Sequence, residues 1–180
     1  MEELQRVSVA EYKSQNNDNL VIVLDNIRSM HNIGSAFRTA DSFGVGHIYL
    51  CGISSQPPHR EIEKTALGAT ESVSWTYSTE TSACIAQLKT AGYQIIAIEQ
   101  ATESIALQDF SFEKDQKYAL VFGNEVFGVA DEVLEMCDKA IEIPQVGTKH
   151  SLNISVCVGI VVWQYVATST NLRMQKTSIL

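Results

Sequence analysis

The chain has little of what several large function classes require. Four cysteines (Cys51, Cys84, Cys137, Cys157) are scattered over 180 residues. None pairs as C-x-x-C, and no His/Cys cluster has zinc-ligand spacing, so no metal site is expected. Reduced thiols in a cytoplasmic protein are the simplest reading. Only three prolines and no low-complexity tract occur, which leaves no linker. Residues 151–172 carry no charge, but their strongly apolar part, 156–166, is too short for a bilayer, which needs about 20 apolar residues. No membrane partner is expected. The opening MEELQRVSVAEYK has no apolar core and does not read as a signal peptide. Cations are also in deficit. Thirteen Lys and Arg face 21 Asp and Glu, a net charge of −8, which argues against general nucleic-acid affinity but leaves room for a local basic patch. The dinucleotide fingerprint is missing, since GVGHIY at Gly44 lacks its third glycine, and there is no P-loop G-K-[ST]. The hydrolase and metalloprotease signatures G-x-S-x-G and H-E-x-x-H are absent too.

What is present reads as one globular domain over residues 1–180, with its core at about 18–169. Apolar content is 45% and charged content 19%, ordinary for a folded chain. Short β-branched or aromatic runs bounded by turn residues read as strands: LVIVLD (20–25), HIYLCG (47–52), YQIIAIE (93–99), YALVFG (118–123) and KAIEIP (139–144), with SVSWTY (72–77) as a further candidate. Between them, 32–43, 80–91 and 131–137 read as helices. Continuous apolar strands alternating with helices predict an α/β fold, a mostly parallel sheet with helices on both faces. In such sheets ligands sit beyond the carboxyl ends of the strands. Gly123-Asn124-Glu125, where YALVFG empties into polar residues, therefore falls where a site belongs.

Two helices can be read closely. In the first, Ile33, Ala36, Phe37, Ala40 and Phe43 form an apolar stripe, with Asn32 as expected N-cap and Gly44 as stop. Arg38 lies off that stripe, one turn past Gly34, a glycine that would leave room beside it. The alternative is a solvated pair between Arg38 and Asp41. The last helix, SLNISVCVGIVVWQYV from near Ser151, is apolar nearly all round. Such a helix must be covered on more than one side, which predicts a second subunit in a two-fold homodimer.

Three stretches then stand out together: NIGSAFRTA (32–40), FGNEVFGVADEV (122–133) and IPQVGTKHSLNISV (143–156). Their N-x-G-x-x-x-R, G-N-E followed by G, and S-L-N-x-S resemble, in order, the three motifs of the SpoU-type branch of the SPOUT RNA methyltransferases. TALGATESV (65–73) is similar to the family's middle segment. The resemblance implies methyl transfer from S-adenosylmethionine (SAM) to a ribose 2′-hydroxyl of tRNA or rRNA, with tRNA favoured for a free-standing domain of this size. It further implies a C-terminal deep trefoil knot, a homodimer, and RNA rather than DNA as partner. Residue by residue, Arg38 and Asn32 would face the RNA backbone and target ribose, and Glu125, Ser151 and Asn153 would complete the catalytic face. Phe122, Gly123, Ile143 and Leu152 would line the SAM pocket, Glu99 could reach a cofactor ribose, and Asn124 would brace the loop.

Each residue has a structural alternative: Ser151 as the cap of the last helix, Asn124 and Asn153 as turn residues, Glu125 as a solvated carboxylate, Ile143 as core. His31 and His150 flank two motifs and titrate near neutral pH. Lys13, Arg28, Arg60, Lys64 and Lys149 are the cations available for RNA. One departure stands in the loop. Many relatives have glycine after G-N-E where this chain has Val126, a β-branched residue that resists positive φ, so a differently shaped loop is expected. The competing function is an inactive RNA-binding relative on the same fold.

Overall fold

The computed structural model describes residues 17–148 and 151–169. Lys13, Lys149 and His150 lie outside the described residues. Strands β1 (Asn17–Asp25), β2 (Val45–Cys51), β3 (Ser74–Ser78), β4 (Tyr93–Ile98), β5 (Ile105–Ala106), β6 (Lys117–Phe122) and β7 (Lys139–Glu142) alternate with helices. The helices are α1 (Met30–Phe43), α2 (Arg60–Ala66), α3 (Ala69–Ser72), α4 (Thr81–Thr90), α5 (Asp131–Leu134) and α6 (Ile154–Ser169). The seven strands form one sheet in the order β3-β2-β1-β6-β4-β7-β5, and every pairing is parallel.

Side chains alternate across the sheet as a pleated strand requires. On β1, Leu20, Ile22 and Leu24 enter one core, and Val21 and Val23 enter the other. On β6 the split is Tyr118, Leu120 and Phe122 against Ala119 and Val121. The first core takes Phe37 of α1, Ile62 of α2 and Val158, Val161, Val162 and Tyr165 of α6. The second takes Cys84, Ile85 and Leu88 of α4 and Val133 of α5. Both faces are thus covered, which is why the central strands are apolar without interruption. Asp25, at the carboxyl end of β1, is buried at 1% exposure but accepts hydrogen bonds from Thr81 Oγ1 at 2.5 Å and Asn26 Nδ2 at 2.8 Å. The free thiol of Cys137 is pushed up to about 11 by burial, as suits an inert side chain.

Several expectations need correction. The N-cap of α1 is Ser29, whose Oγ accepts from Asn32 N at 3.3 Å, so Asn32 lies inside the first turn. Its stop at Gly44, with φ 68°, is as expected. Helix α6 begins at Ile154, and its cap is Asn153, whose Oδ1 accepts from Ser155 N at 2.8 Å, so Ser151 does not cap it. Asp41 accepts from Ser72 Oγ at 2.5 Å, and Arg38 has no ion pair among the described residues. The space above Gly34 belongs to α2. A Cβ there would stand 2.2 Å from Ile62 O and from Thr65 Oγ1, so this glycine admits a neighbouring helix rather than a ligand. Helices α2 and α3 and the short β5 are not among the elements expected from periodicity, being too short to show one.

Candidate active site

The carboxyl ends of β4, β6 and β7 open into a cleft of about 580 Å³. Its apolar lining includes Ile98, Phe122, Ile141, Ile143 and Leu152, and its polar lining Glu99, Gln100, Asn124, Glu125, Glu142, Ser151 and Asn153. Its volume is within the range of small-molecule sites. Three carboxylates line it, and no lysine, arginine or histidine does among the described residues. A ligand rich in phosphates would meet repulsion here, whereas a cationic one would be favoured.

The wall nearest α1 is the loop after β6. Asn124 and Gly128 exchange backbone hydrogen bonds at 2.9 Å each way, closing the loop on itself. Asn124 Oδ1 accepts from Val126 N at 2.9 Å and Phe127 N at 3.2 Å, and its Nδ2 donates to Asn26 O at 2.7 Å. Asn124 is therefore the brace expected of it. Gly123 lines the cleft, but the returning chain explains its missing side chain: a Cβ would stand 2.2 Å from Gly128 C and Val129 N. The positive φ of this loop falls on Gly128, at 71°, and not on Val126. The β-branched side chain is thus accommodated without backbone strain.

Glu125 connects the loop to α1. Its Oε2 accepts from Arg28 N at 3.0 Å, and its Oε1 accepts from Ser29 N and from Asn32 Nδ2, both at 3.0 Å. Burial works to raise its pKa, but the hydrogen bonds from Arg28, its own N–H, Asn32 and Ser29 outweigh it and hold the carboxyl below its ordinary value. Asn153 Nδ2 donates to Asn32 Oδ1 at 3.3 Å. Segments 121 residues apart in sequence, Asn32 and Asn153, are so joined with Glu125 in one polar chain. Ser151 lines the cleft beside them and is exposed.

Glu99, just past the carboxyl end of β4, also lines the cleft. Its Oε2 accepts from Val129 N at 2.9 Å and its Oε1 from Gln100 N at 3.0 Å, so this carboxylate also fixes the loop after β6 from behind. Sequence position alone did not indicate that role. Gln145 and Glu142, absent from the sequence-based list, line the cleft as well. Their signal was only adjacency to Ile143.

Arg38 is not part of this cleft. It is exposed in a separate hollow of about 410 Å³ with Ser35, Thr39, Ser42, Phe43, Lys64 and Thr65. It lies six positions past Asn32, about 9 Å along the helix axis and onto another side. His31 lies nearer the polar chain, but its Nε2 is 3.0 Å from Glu61 Oε2, and Glu61 also holds Lys64 at 2.7 Å.

Comparison with known proteins gives the family and the fold. The tRNA (guanosine(18)-2′-O)-methyltransferase of Aquifex aeolicus is 32% identical over 81% of this chain and 67% of its own length. The crystal structure of the A. aeolicus TrmH/SpoU tRNA modifying enzyme superposes with a TM-score of 0.78 at 26% identity, covering 89% of this chain and 81% of that one. The AdoMet-bound rRNA methyltransferase of Sinorhizobium meliloti also gives a TM-score of 0.78, at 25% identity, over 87% of this chain and 59% of that one. The chain spans only 56 to 61% of the length of further curated relatives. The SpoU rRNA Methylase family profile matches residues 19–163 without interruption. On that match, and on the relative 32% identical over 81% of this chain, the chain belongs to the SpoU rRNA methylase family.

Proposed function

We propose that this chain transfers a methyl group from SAM to a ribose 2′-hydroxyl of structured RNA. The observation that carries the reading is the polar chain Asn153–Asn32–Glu125 at the mouth of an acidic cleft. The cleft fits SAM in three respects. Its volume suits the molecule, its apolar floor of Phe122, Ile143 and Leu152 suits an adenine, and its carboxylates suit a sulfonium. Phe122, Gly123, Ile143, Leu152 and Glu99 would hold the cofactor, which supplies the activated methyl group. A nucleotide- or NAD-dependent reaction would bring phosphates to Glu99, Glu125 and Glu142 and is disfavoured by the same electrostatics.

The chain's own residues then act by placement, because in-line methyl transfer depends on approach geometry. Glu125, engaged by three donors and held below its ordinary pKa, is a poor proton acceptor. It serves as a positioning group that fixes Asn32 at the cleft mouth. Ser151 and Asn153 present the remaining polar groups to the ribose. Arg38, always protonated, clamps a phosphate next to that ribose through bidentate hydrogen bonds.

The active unit is a homodimer on this reading. Val156, Ile160 and Trp163 are 47, 37 and 52% exposed, and with exposed Ala167 they form one outward stripe along α6. Such a stripe is the natural face for a second copy. Phe43 of α1 touches Trp163 at 5.8 Å between ring centroids, so the hollow of Arg38 adjoins that boundary. The C-terminal knot is supported by β7 lying between β4 and β5 while α6 returns to pack on α1. The relatives act on both tRNA and rRNA, and we take tRNA as the first substrate to test. No helix among the described residues is long and apolar enough to cross a membrane.

Two measurements test the proposal. Calorimetric titration with SAM should give saturable binding, and absence of heat at millimolar SAM would leave an inactive RNA-binding relative. Mass spectrometry of nucleosides from RNA of a deletion strain should lack one 2′-O-methylated residue. An unchanged nucleoside profile in both tRNA and rRNA would refute the assigned reaction.

A further inference from the structure

The loop after β6 carries a feature that neither its hydrogen bonds nor the cofactor cleft requires. Phe127 is 85% exposed at the loop tip, the most exposed aromatic among the described residues, and Val126 beside it is 64% exposed. Nothing about the loop's own stability asks for this. The backbone on either side is fixed by the Asn124–Gly128 pair and by Asn124 Oδ1, which accepts from Phe127 N itself. The tip is a rigid mount, and the ring loses little further freedom when something covers it.

We propose that Phe127 is the stacking platform for an unpaired base of the RNA substrate, the target base or its neighbour. This rests on the methyltransferase reading of the same cleft. Phe127 lies two residues from Glu125, whose Oε1 holds Asn32 at the place where the ribose must arrive. It lines the cleft yet stays 85% exposed, whereas Phe122, Ile143 and Leu152, which suit the adenine of SAM, are buried or half-buried. A ribose presented to the cleft brings its base within reach of this ring. Exposed aromatic side chains are the usual partners of splayed RNA bases. A second copy is the weaker occupant, because covering Phe127 with protein would obstruct the cleft mouth, and the stripe on α6 already offers a separate apolar face.

Charge explains why such a contact would matter in this chain. Residues 26–67 hold Arg28, Arg38, Arg60 and Lys64 against Asp41, Glu61 and Glu63, a balance of +1 in a chain of −8. Lys64 is further tied to Glu61 at 2.7 Å. Few cations remain to release counterions from phosphates, so a base contact insensitive to salt would carry a larger share of RNA affinity. Stacking accepts any base, so Phe127 supplies affinity and placement rather than sequence identity.

The experiment compares wild type with Phe127→Ala and Phe127→Tyr. The readouts are methyl transfer to unfractionated tRNA and rRNA from a deletion strain, SAM binding by calorimetry, and sedimentation. Phe127→Ala should raise the KM for RNA by about 5- to 150-fold, the range for loss of one stacked base, with SAM affinity and assembly unchanged. The ratio to wild type should stay constant as salt rises, and Phe127→Tyr should restore most of the loss. An unchanged KM, a matching loss of SAM affinity, or dissociation into monomers would each overturn the assignment. Independently of turnover, Phe127→Trp should show fluorescence quenched by the same RNA, measured against wild type with its native Trp75 and Trp163. Quenching in a protein that transfers no methyl group would sink the reaction and keep the platform, while methylation without any Phe127 effect would do the reverse.

Discussion

Helices α1 and α6 lie side by side on one face of the sheet, yet they turn opposite kinds of surface outward. Along α1 the outward row is His31, Ser35, Arg38 and Ser42, all polar. Along α6 the corresponding row is Val156, Ile160, Trp163 and Ala167, all apolar. The spacing is the same in both, so helical geometry does not account for the difference. A polar row can remain against water or receive phosphates, whereas an apolar row of this length calls for cover. The proposed function assigns the polar row of α1 to RNA and the apolar row of α6 to a second subunit.

The largest effect should follow from emptying the polar row at its cation. Arg38→Ala should lower methyl transfer by about 100-fold or more, as misplacement of a reacting group does, with SAM affinity within about twofold. Labelled-methyl transfer and calorimetry read the two separately, and a parallel collapse of SAM binding would place Arg38 at the cofactor instead. Next in size is the apolar row. Trp163→Glu should convert a micromolar dimer to monomer in sedimentation, and if wild type is itself a monomer the seam is wrongly assigned.

Gly34→Ala asks whether α1 has spare room beneath its outward row. With Ile62 O and Thr65 Oγ1 2.2 Å from the added carbon, it should cost about 1–3 kcal/mol in urea denaturation. A neutral result would mean that α2 yields easily. Glu125→Gln is smaller and depends on pH. The native carboxyl titrates below its ordinary value, so the stability it contributes is present above about pH 4.3, the unfolded value, and is lost as pH falls through the lower folded value. The melting temperature of the variant should therefore approach that of wild type as pH drops below about 4.3 and differ most near neutrality. The smallest stability effect belongs to Ser151→Ala. Since Asn153 caps α6, the variant should stay within about 0.5 kcal/mol of wild type in stability while losing methyl transfer.

Much of the fold was legible because it repeats a local rule. The β-branched runs became parallel strands, and Gly44 ended α1 where its left-handed conformation was needed. The motifs were legible as a set, and the structure joins Asn32, Glu125 and Asn153 directly. What was misread turned on contacts between segments. Gly34 looked like room beside Arg38, and that room is filled by α2, whose seven residues show no clear period. Arg38 looked like a neighbour of the cleft because it shares a motif with Asn32, yet helical rotation carries it into another hollow. Glu99 was expected only to reach toward a cofactor, and its second task, holding Val129 N and Gln100 N, depends on a contact 30 residues away.

The sequence by itself determined the main strands and the longer helices between them, the two-sided burial of the central strands and the family, since each is written in local periodicity or in short motifs. Only the tertiary structure decided which side chains of those motifs face one another, what fills the space above each glycine, and where Phe127 is left uncovered. The physical reason is that hydrogen-bond partners and steric neighbours come from residues up to 121 positions apart, and no local pattern along the chain encodes their separation in space.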